Sequence, residues 1–517
     1  MSLLLFVLSI PVLLTIPAAF AYPLFEKAGI PGWKALIPYY NFYIWVQLIE
    51  KSYWWYLWLI IPFINVFTFM LLTIELIKGF GKTNTSDQAF VALFPFVYFP
   101  WLASNTTQEW MVAADRPKIK KTATREWVDA IIFAVIAASI IRIFLMEAYT
   151  IPTSSMEKSL LVGDYLFVSK MAYGPKSPQT PIAFPFVHHT LPLTTMTKSY
   201  VEWLELPYHR FPGFGKIKNN DVVVFNYPSG DTVVLERQNE DYYQIVRSKE
   251  EELKGRYGSN YKAGMGRAAI WKNYHVTARP IDKRENYIKR CVAIPGDEVK
   301  IIDRQLYING EMADNPDNMQ FMYDVYTNGT GFHKKAIDKL EITEGGKISN
   351  SHYVLPLSIE KKKLLEGYSN VKSVEARIQP KGEIYSPIFP HDPSHFNWNQ
   401  DNFGPLTIPK AGVTISINMD NIALYKKLIH KYEDNDFEIK NNQIFINGKV
   451  ATEYTFKQDY YWMMGDNRHN SADSRYWGFV PEDHIVGKAI FVWLSLDPNK
   501  GLFDGKIRWN KVFRMIK

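Results

Sequence analysis

The sequence predicts a multi-pass α-helical membrane anchor followed by a predominantly β extracytoplasmic domain with a large insertion. Three observations carry that prediction. Apolar runs fill most of the first 147 residues, short strands rich in β-branched and aromatic residues recur from about residue 156 onward, and a polar interval at 313–440 interrupts them. At 517 residues the chain is long enough to bury more than one core.

The anchor is read from residues 1–22, 54–79, 88–104 and 127–147, all apolar or nearly so. A bilayer core needs about 20 helical residues. Runs 54–79 and 127–147 meet that length. Run 88–104 is short and holds Pro95 and Pro100, which predicts a kink. Run 1–22 ends in Ala19-Phe20-Ala21, which resembles a cleavage site. It has no Lys or Arg ahead of its apolar core, so it is expected to remain as an uncleaved first helix. Residues 1–110 are therefore expected to form a membrane module of about three helices, with 127–147 as the final transmembrane helix. Asp115-Arg116-Pro117-Lys118-Ile119-Lys120-Lys121 and Arg125 precede that last helix, and the positive-inside bias puts them in the cytoplasm. Everything after the helix is then extracytoplasmic. Glu75, inside an apolar run, is expected to face another helix rather than lipid.

The β body is read from strand-like runs at 164–170, 221–227, 287–294, 298–302, 413–417, 444–446 and 489–494, separated by Gly, Pro and Asn. The expected division is 148–312 as the first part of the body, 313–440 as an inserted subdomain, 441–500 as the second part, and 501–517 as a tail. Gln305-Leu306-Tyr307-Ile308-Asn309-Gly310 echoes Gln443-Ile444-Phe445-Ile446-Asn447-Gly448. Each reads as a strand closed by an Asn-Gly hairpin turn. Chance recurrence of a common hairpin and a partial duplication both fit.

Composition narrows the function classes. The net charge of +7 is small for this length and spread along the chain, which argues against a nucleic-acid partner. The single cysteine, Cys291, excludes an intrachain disulfide, and its apolar neighbours suit a buried, inert thiol. His188-His189 and His391-Asp392-Pro393-Ser394-His395 lack completing ligands, so no metal or other cofactor is expected.

Chemistry concentrates at three places. Ser155 stands in Ile151-Pro152-Thr153-Ser154-Ser155-Met156, directly behind the last apolar run. A lone serine is ordinarily structural. Here Pro152 stiffens the approach, and Met156 offers an apolar anchor. A serine hydroxyl needs a base to attack an amide. No Gly-x-Ser-x-Gly elbow surrounds Ser155, and no histidine follows it closely.

The second place is Asn286-Tyr287-Ile288-Lys289-Arg290. Lysine, with a reference pKa near 10.4, is a poor base unless desolvated, and a drop of about 3 corresponds to roughly 4 kcal/mol. The following Cys291-Val292-Ala293-Ile294 is strand-like. Alternation puts Lys289 and Cys291 on one face and Arg290 on the other, reaching water or a carboxylate. On local sequence alone, an outward structural lysine fits better than a buried base. The third place is the polar loop 465–478. Ser471 could donate or accept to hold a neutral lysine, Asp473 and Arg475 can form a bidentate pair, and Asp466 with Asn467 could shape the turn.

At these residues the chain resembles the bacterial type I signal (leader) peptidases, membrane serine endopeptidases of the Ser/Lys-dyad class. Their serine box, Pro-Ser-x-Ser-Met with Pro-Thr-Leu, is similar to Pro152-Thr153-Ser154-Ser155-Met156-Glu157-Lys158-Ser159-Leu160, with Thr for the first Ser and Lys158-Ser159 for Pro-Thr. Gly163-Asp164-Tyr165-Leu166-Phe167-Val168 matches the next box. The lysine box is matched by Tyr287, Lys289, Arg290, Pro295, Gly296 and Asp297. The last box is matched throughout 465–478. The resemblance covers about 127–312 and 441–495.

The resemblance implies a β catalytic domain of signal-peptidase type that removes amino-terminal signal peptides from exported preproteins through an acyl-enzyme. Cuts would follow small residues at the −3 and −1 positions. It implies Ser155 as nucleophile and Lys289 as general base. The Ser155 amide and the Thr153 hydroxyl would form the oxyanion hole, Ser471 would orient the lysine, and Asp473 and Arg475 would support the site. It further implies no cofactor, a multi-pass protein of the bacterial inner membrane with its catalytic domain on the periplasmic side, and preproteins and the lipid bilayer as partners. The secretion translocase is a further candidate. Gly32-Trp33-Lys34-Ala35-Leu36-Ile37-Pro38-Tyr39-Tyr40-Asn41 resembles a module fused to such peptidases in the Bacteroidetes group, a form with extra amino-terminal membrane helices. The competing readings are a non-catalytic envelope scaffold on the same fold and a Ser/Lys protease with another target.

Overall fold

In the computed structural model, residues 3–61, 64–112, 122–229, 231–238, 240–333, 336–337, 340, 342–501 and 503–516 are described. The chain divides into two compact units, Met1–Met146 with Phe211–Phe214, and Glu147–Arg210 with Gly215–Lys517.

In the first unit, one helix among the described residues is long and apolar enough to cross a membrane: Ala123–Leu145, of 23 residues. At 1.5 Å per residue it spans about 35 Å. The Thr122 side chain caps it by accepting from the Arg125 amide. The remaining apolar runs fold into shorter helices, Leu3–Ala19, Trp54–Trp58, Ile64–Lys78, Thr85–Leu93 and Pro95–Ser104. The expected multi-pass anchor, and the multi-pass localisation with it, is therefore corrected to one long apolar helix among the described residues and a largely β-sheet domain.

The physical reasons are local breaks and mutual packing. Run 54–79 is divided by a turn at 59–61, and its second helix rises only about 22 Å. Run 88–104 breaks at Phe94 (φ −132°, ψ 55°), where Pro95 starts a new helix. Part of the apolar surface is covered by other side chains, while Leu13, Ile16, Trp54 and Leu93 stay exposed. Trp45 is fully buried, with ring centroids 5.8 Å from Phe25 and 5.9 Å from both Phe69 and Phe99. Glu75 is paired with Lys51 (3.0 Å) and Lys78 (2.6 Å). The basic run 115–121, on which the predicted orientation rests, lies outside the described residues.

The second unit is built on an eight-stranded sheet of β1 (Met146–Thr150), β2 (Asp164–Ser169), β3 (Val222–Asn226), β4 (Asn286–Ala293), β5 (Tyr460–Met464), β6 (Val480–Pro481), β7 (Ile485–Ser495) and β8 (Arg514–Met515). Its order is β1-β2-β7-β3-β4-β5-β6, with β8 added to β7. The run of valines in β3 makes sense at this central position, where both faces are covered. Val222 and Val224 join a core with Met156, Leu166 and Val168, while Val223 and Phe225 join another with Cys291, Met463 and Trp477. Antiparallel pairing sets Val223 opposite Lys289 and Val222 opposite Arg290. Cys291 is completely buried, and burial pushes its thiol well up.

The repeated Asn-Gly segments belong to two three-stranded meanders. One is Glu298–Ile302, Gln305–Ile308 and Glu311–Met312; the other is Phe437–Lys440, Gln443–Ile446 and Lys449–Val450. Both turns of each have positive φ at both residues, at 303–304, 309–310, 441–442 and 447–448. That is the geometry of two-residue type I′ turns, and it explains the preference for Asn and Gly there.

Within 313–440, only the early part folds as a separate sheet, in the order Gly346–Ser349, His352–Leu357, Phe321–Thr327, Val371–Ala376, over its own core of Phe321, Val325, Leu355 and Leu365. The later part joins the main body. Phe403–Thr407 pairs with Glu298–Ile302, and Phe389, Phe403, Ile422 and Leu428 pack in the core that holds Trp462. Trp462 is fully buried against Phe389, Phe403 and Phe479 at centroid distances of 5.9, 5.3 and 5.5 Å. Trp462→Ala is expected to lower stability by about 3–5 kcal/mol. A denaturant midpoint unchanged from the parent protein would show that this contact does not anchor the segment.

Candidate active site

The Ser155 turn is positioned by what flanks it. Thr153 is extended (φ −129°, ψ 157°) and exposed, and Ser154–Met156 then make one tight 3₁₀ turn. Met156 and Leu160 plunge into the core beside Leu166 and Val168, pinning the far side of the turn. Lys158 has φ 72°, so the chain reverses through a left-handed residue without glycine there. The Ser155 amide lies at the start of the turn, where no turn carbonyl is available to accept it. The Ser155 carbonyl accepts from the Asn467 amide at 3.1 Å.

β4 delivers Lys289 to this turn. Its Nζ lies 2.6 Å from Ser155 Oγ and donates to the Ile288 carbonyl at 3.0 Å. Lys289 is 3% exposed and Ser155 is 9% exposed. Burial lowers the Lys289 pKa to about 8, against the opposing pull of the Asp473 and Asp466 carboxylates. This drop corresponds to about 3 kcal/mol of destabilisation of the charged amine relative to a solvated lysine.

Each of those carboxylates is held by its own guanidinium. Arg290 donates to Asp466 through Nε (2.9 Å) and Nη2 (2.6 Å), and through Nη1 to the Asn220 carbonyl at 2.8 Å. Of the two destinations the sequence allowed for Arg290, the carboxylate is the one found. Arg475 donates to Asp473 through Nε (2.9 Å) and Nη2 (2.8 Å), while Asp473 also accepts from the Gly465 amide at 3.1 Å. Burial alone would raise the Asp473 carboxyl; the Arg475 charge overcomes it and holds the carboxyl below its usual range.

Ser471 is placed differently from the simplest expectation. Its Oγ is buried and has no hydrogen bond to Lys289 among the described residues; it lies beside the Asp473 carboxylate, whose charged form it helps to hold. It packs against Gly465. A Cβ at that glycine would lie 2.2 Å from Ser471 Oγ and 2.5 Å from the Ser155 carbonyl oxygen, so the backbone approaches closely only because the side chain is absent. Ser155, Lys289, Asp473 and Arg475 thus converge, with Ser471 beside them and Thr153 at the exposed entry to the turn.

Sequence reasoning missed how the 313–440 interval braces loop 465–478. Gln320 donates its amide to the Asp466 carbonyl and accepts from the Arg468 amide, both at 2.9 Å. His469 receives the Met322 amide at Nδ1 (3.1 Å) and meets Asp401 through Nε2 (2.6 Å). The Phe389 amide donates to the Arg475 carbonyl at 2.8 Å. These are mostly backbone contacts over long sequence separations, and no motif announces them. A second buried amine, Lys427, donates to Ser229 Oγ at 2.6 Å, and burial lowers its pKa to about 8. Its neighbours are the Tyr243 and Tyr432 rings, at 5.7 and 5.3 Å, and Ser229 is 4% exposed, so this pair ties two segments together rather than facing a cleft.

Comparison with known proteins gives a consistent picture. The model of the signal peptidase, peptidase S26, family matches residues 124–355 and 407–494. A family of unknown function matches 33–112. Among curated relatives, the signal peptidase I of Buchnera aphidicola subsp. Baizongia pistaciae is 24% identical over 380 residues, covering 73% of this chain and 79% of the relative. That of Haemophilus influenzae is 25% identical over 389 residues (75% and 74%), and that of Helicobacter pylori is 23% identical over 400 residues (75% and 91%).

Gly465→Ala is expected to push loop 465–478 off the Ser155 turn and slow acylation of Ser155 by a serine-directed reagent about 100-fold. Mass-spectrometric labelling rates test this. Unchanged labelling would mean that the close approach at Gly465 is dispensable.

Proposed function

We infer the reaction from kinship: the chain belongs to the signal peptidase, peptidase S26, family, and it is a serine endopeptidase that removes signal peptides. It is a membrane protein with one long apolar helix among the described residues, Ala123–Leu145, which precedes a β-sheet extracytoplasmic domain in the sequence.

The assignment of roles is our proposal. Ser155 is the nucleophile and Lys289 the general base. The neutral amine takes the hydroxyl proton as Ser155 Oγ bonds to the scissile carbonyl carbon. The oxyanion is met by the Ser155 amide and the Thr153 hydroxyl, each well-aimed donor contributing a few kcal/mol. Collapse breaks the C–N bond, and the Lys289 ammonium returns the proton to the departing amine of the mature protein. Water then attacks the Ser155 ester, losing its proton to the same amine, and Ser155 leaves reprotonated with the signal peptide released as an acid. Asp473 and Arg475 hold the loop. Ser471 orients Lys289 in the substrate-bound state; its buried hydroxyl, beside Asp473 and against Gly465, supports that role.

The carrying observation is the 2.6 Å separation of Nζ and Oγ at an amine that burial has brought to about 8. Selection of small residues at −3 and −1, and the secretion translocase as a partner, are proposed from the family resemblance. The finer likeness to Bacteroidetes forms rests on Gly32–Asn41 alone, within the stretch that matches a family of unknown function.

Ser155→Ala and Lys289→Ala are each expected to leave a folded protein that no longer shortens a preprotein, measured by gel shift of the precursor. Normal cleavage by either variant overturns the assignment. For the parent enzyme, the base is active only when deprotonated. The kcat/KM should therefore rise about tenfold per pH unit below pH 8 and level off above it. A rate that stays flat from pH 6 to 9, with chemistry limiting, would falsify Lys289 as the base.

A further inference from the structure

We propose that Glu344, in the 313–440 interval, is a positioning residue that aims the oxyanion donor. The inference rests on Ser155 being the nucleophile. Glu344 is half-buried, and its Oε2 accepts from two side-chain amides, Asn467 Nδ2 at 3.0 Å and Asn470 Nδ2 at 2.7 Å. A primary amide has two N–H groups. The second of Asn467 goes to the Ser154 carbonyl at 3.2 Å, and the second of Asn470 goes to Ser154 Oγ at 3.3 Å. One carboxylate oxygen thus orients both amides, and both amides hold Ser154.

The consequence follows from peptide geometry. The Ser154 carbonyl and the Ser155 N–H belong to one planar peptide unit, so fixing the carbonyl direction fixes where the N–H points. The Asn467 backbone amide fixes the next peptide through the Ser155 carbonyl, at 3.1 Å. The two peptide planes that flank the nucleophile are therefore both set by Asn467, and Glu344 sets the Asn467 side chain. The adjacent Thr343 hydroxyl donates to Glu157 Oε1 at 3.1 Å, on the far side of the same turn. Residues 343–344 grip the turn from both flanks.

An oxyanion donor acts in the transition state and not in substrate binding, so its misalignment should appear in kcat and leave KM alone. The test uses the full chain in detergent or phospholipid vesicles with a model preprotein. Glu344→Ala is expected to lose about 10- to 100-fold in kcat, with KM within about twofold and an unchanged pH midpoint, because the amine of Lys289 is untouched. Glu344→Gln keeps an acceptor oxygen and should recover most of the rate. Should Glu344→Ala fail to fold, Glu344→Asp, one methylene short of both amides, replaces it with the same expected kcat loss.

Full kcat in Glu344→Ala, a loss confined to KM, or a Gln variant as slow as the Ala variant overturns the proposal. If Ser155→Ala is inactive while Glu344→Ala is fully active, only the positioning role falls. If Ser155→Ala still cleaves, the nucleophile assignment falls with it.

Discussion

Burial of one lysine amine against one serine hydroxyl is the constraint around which this catalytic body is arranged. Desolvation lowers the Lys289 pKa, but two carboxylates, Asp466 and Asp473, lie close enough to raise it again. Each carboxylate is itself buried and is held in a bidentate contact by Arg290 or Arg475. The two pairs are near-neutral units in a low-dielectric region, so the loop can be polar and rigid without recharging the amine. Removing one partner of such a buried pair leaves an uncompensated charge, which is strongly destabilising. On this account the two guanidiniums serve the proposed base indirectly, by keeping its electrostatic surroundings quiet.

The second requirement is a loop that stays in place. Residues 465–478 follow β5, whose side chains are buried throughout. Backbone bonds from Gln320 and Phe389, and the buried His469–Asp401 contact, then fasten the loop to segments far away in sequence. The interval between the two halves of the β body is thus part of the catalytic scaffold. Its later residues complete the core around Trp462, and its Thr343–Glu344 step reaches the Ser155 turn itself.

Legibility in the sequence followed the range of the interactions. Ser155, Lys289 and loop 465–478 stand out because each carries its chemistry in a short local pattern. One hairpin of each meander was visible through its Asn-Gly turn, since positive φ at consecutive residues restricts residue choice; the turns at Asp303-Arg304 and Asn441-Asn442 carried no such signal. The role of Glu344 was not visible, because one glutamate in a polar stretch carries no local signal until the fold brings Asn467 and Asn470 beside it. Nor was the membership of Phe389 and Phe403 in the main core, whose partner Trp462 lies far along the chain. The error in the amino-terminal third has a different origin. Hydropathy reports that Phe25, Trp45 and Phe99 avoid water, but not whether lipid or other side chains cover them. In the fold they cover one another. Ser471 shows the same limit at the site: its residue type permits a bond to the lysine, while the geometry sets its hydroxyl beside Asp473 and Gly465.

The account depends on the charge state of a single nitrogen. The most direct measurement is a ¹³C NMR titration of the lysine Cε resonances in detergent-solubilised protein, with the Lys289 signal assigned by its absence in Lys289→Arg. The account predicts a midpoint near 8 for this resonance, well apart from the exposed lysines. A midpoint of about 10 or above, the range of a solvated lysine, would contradict it.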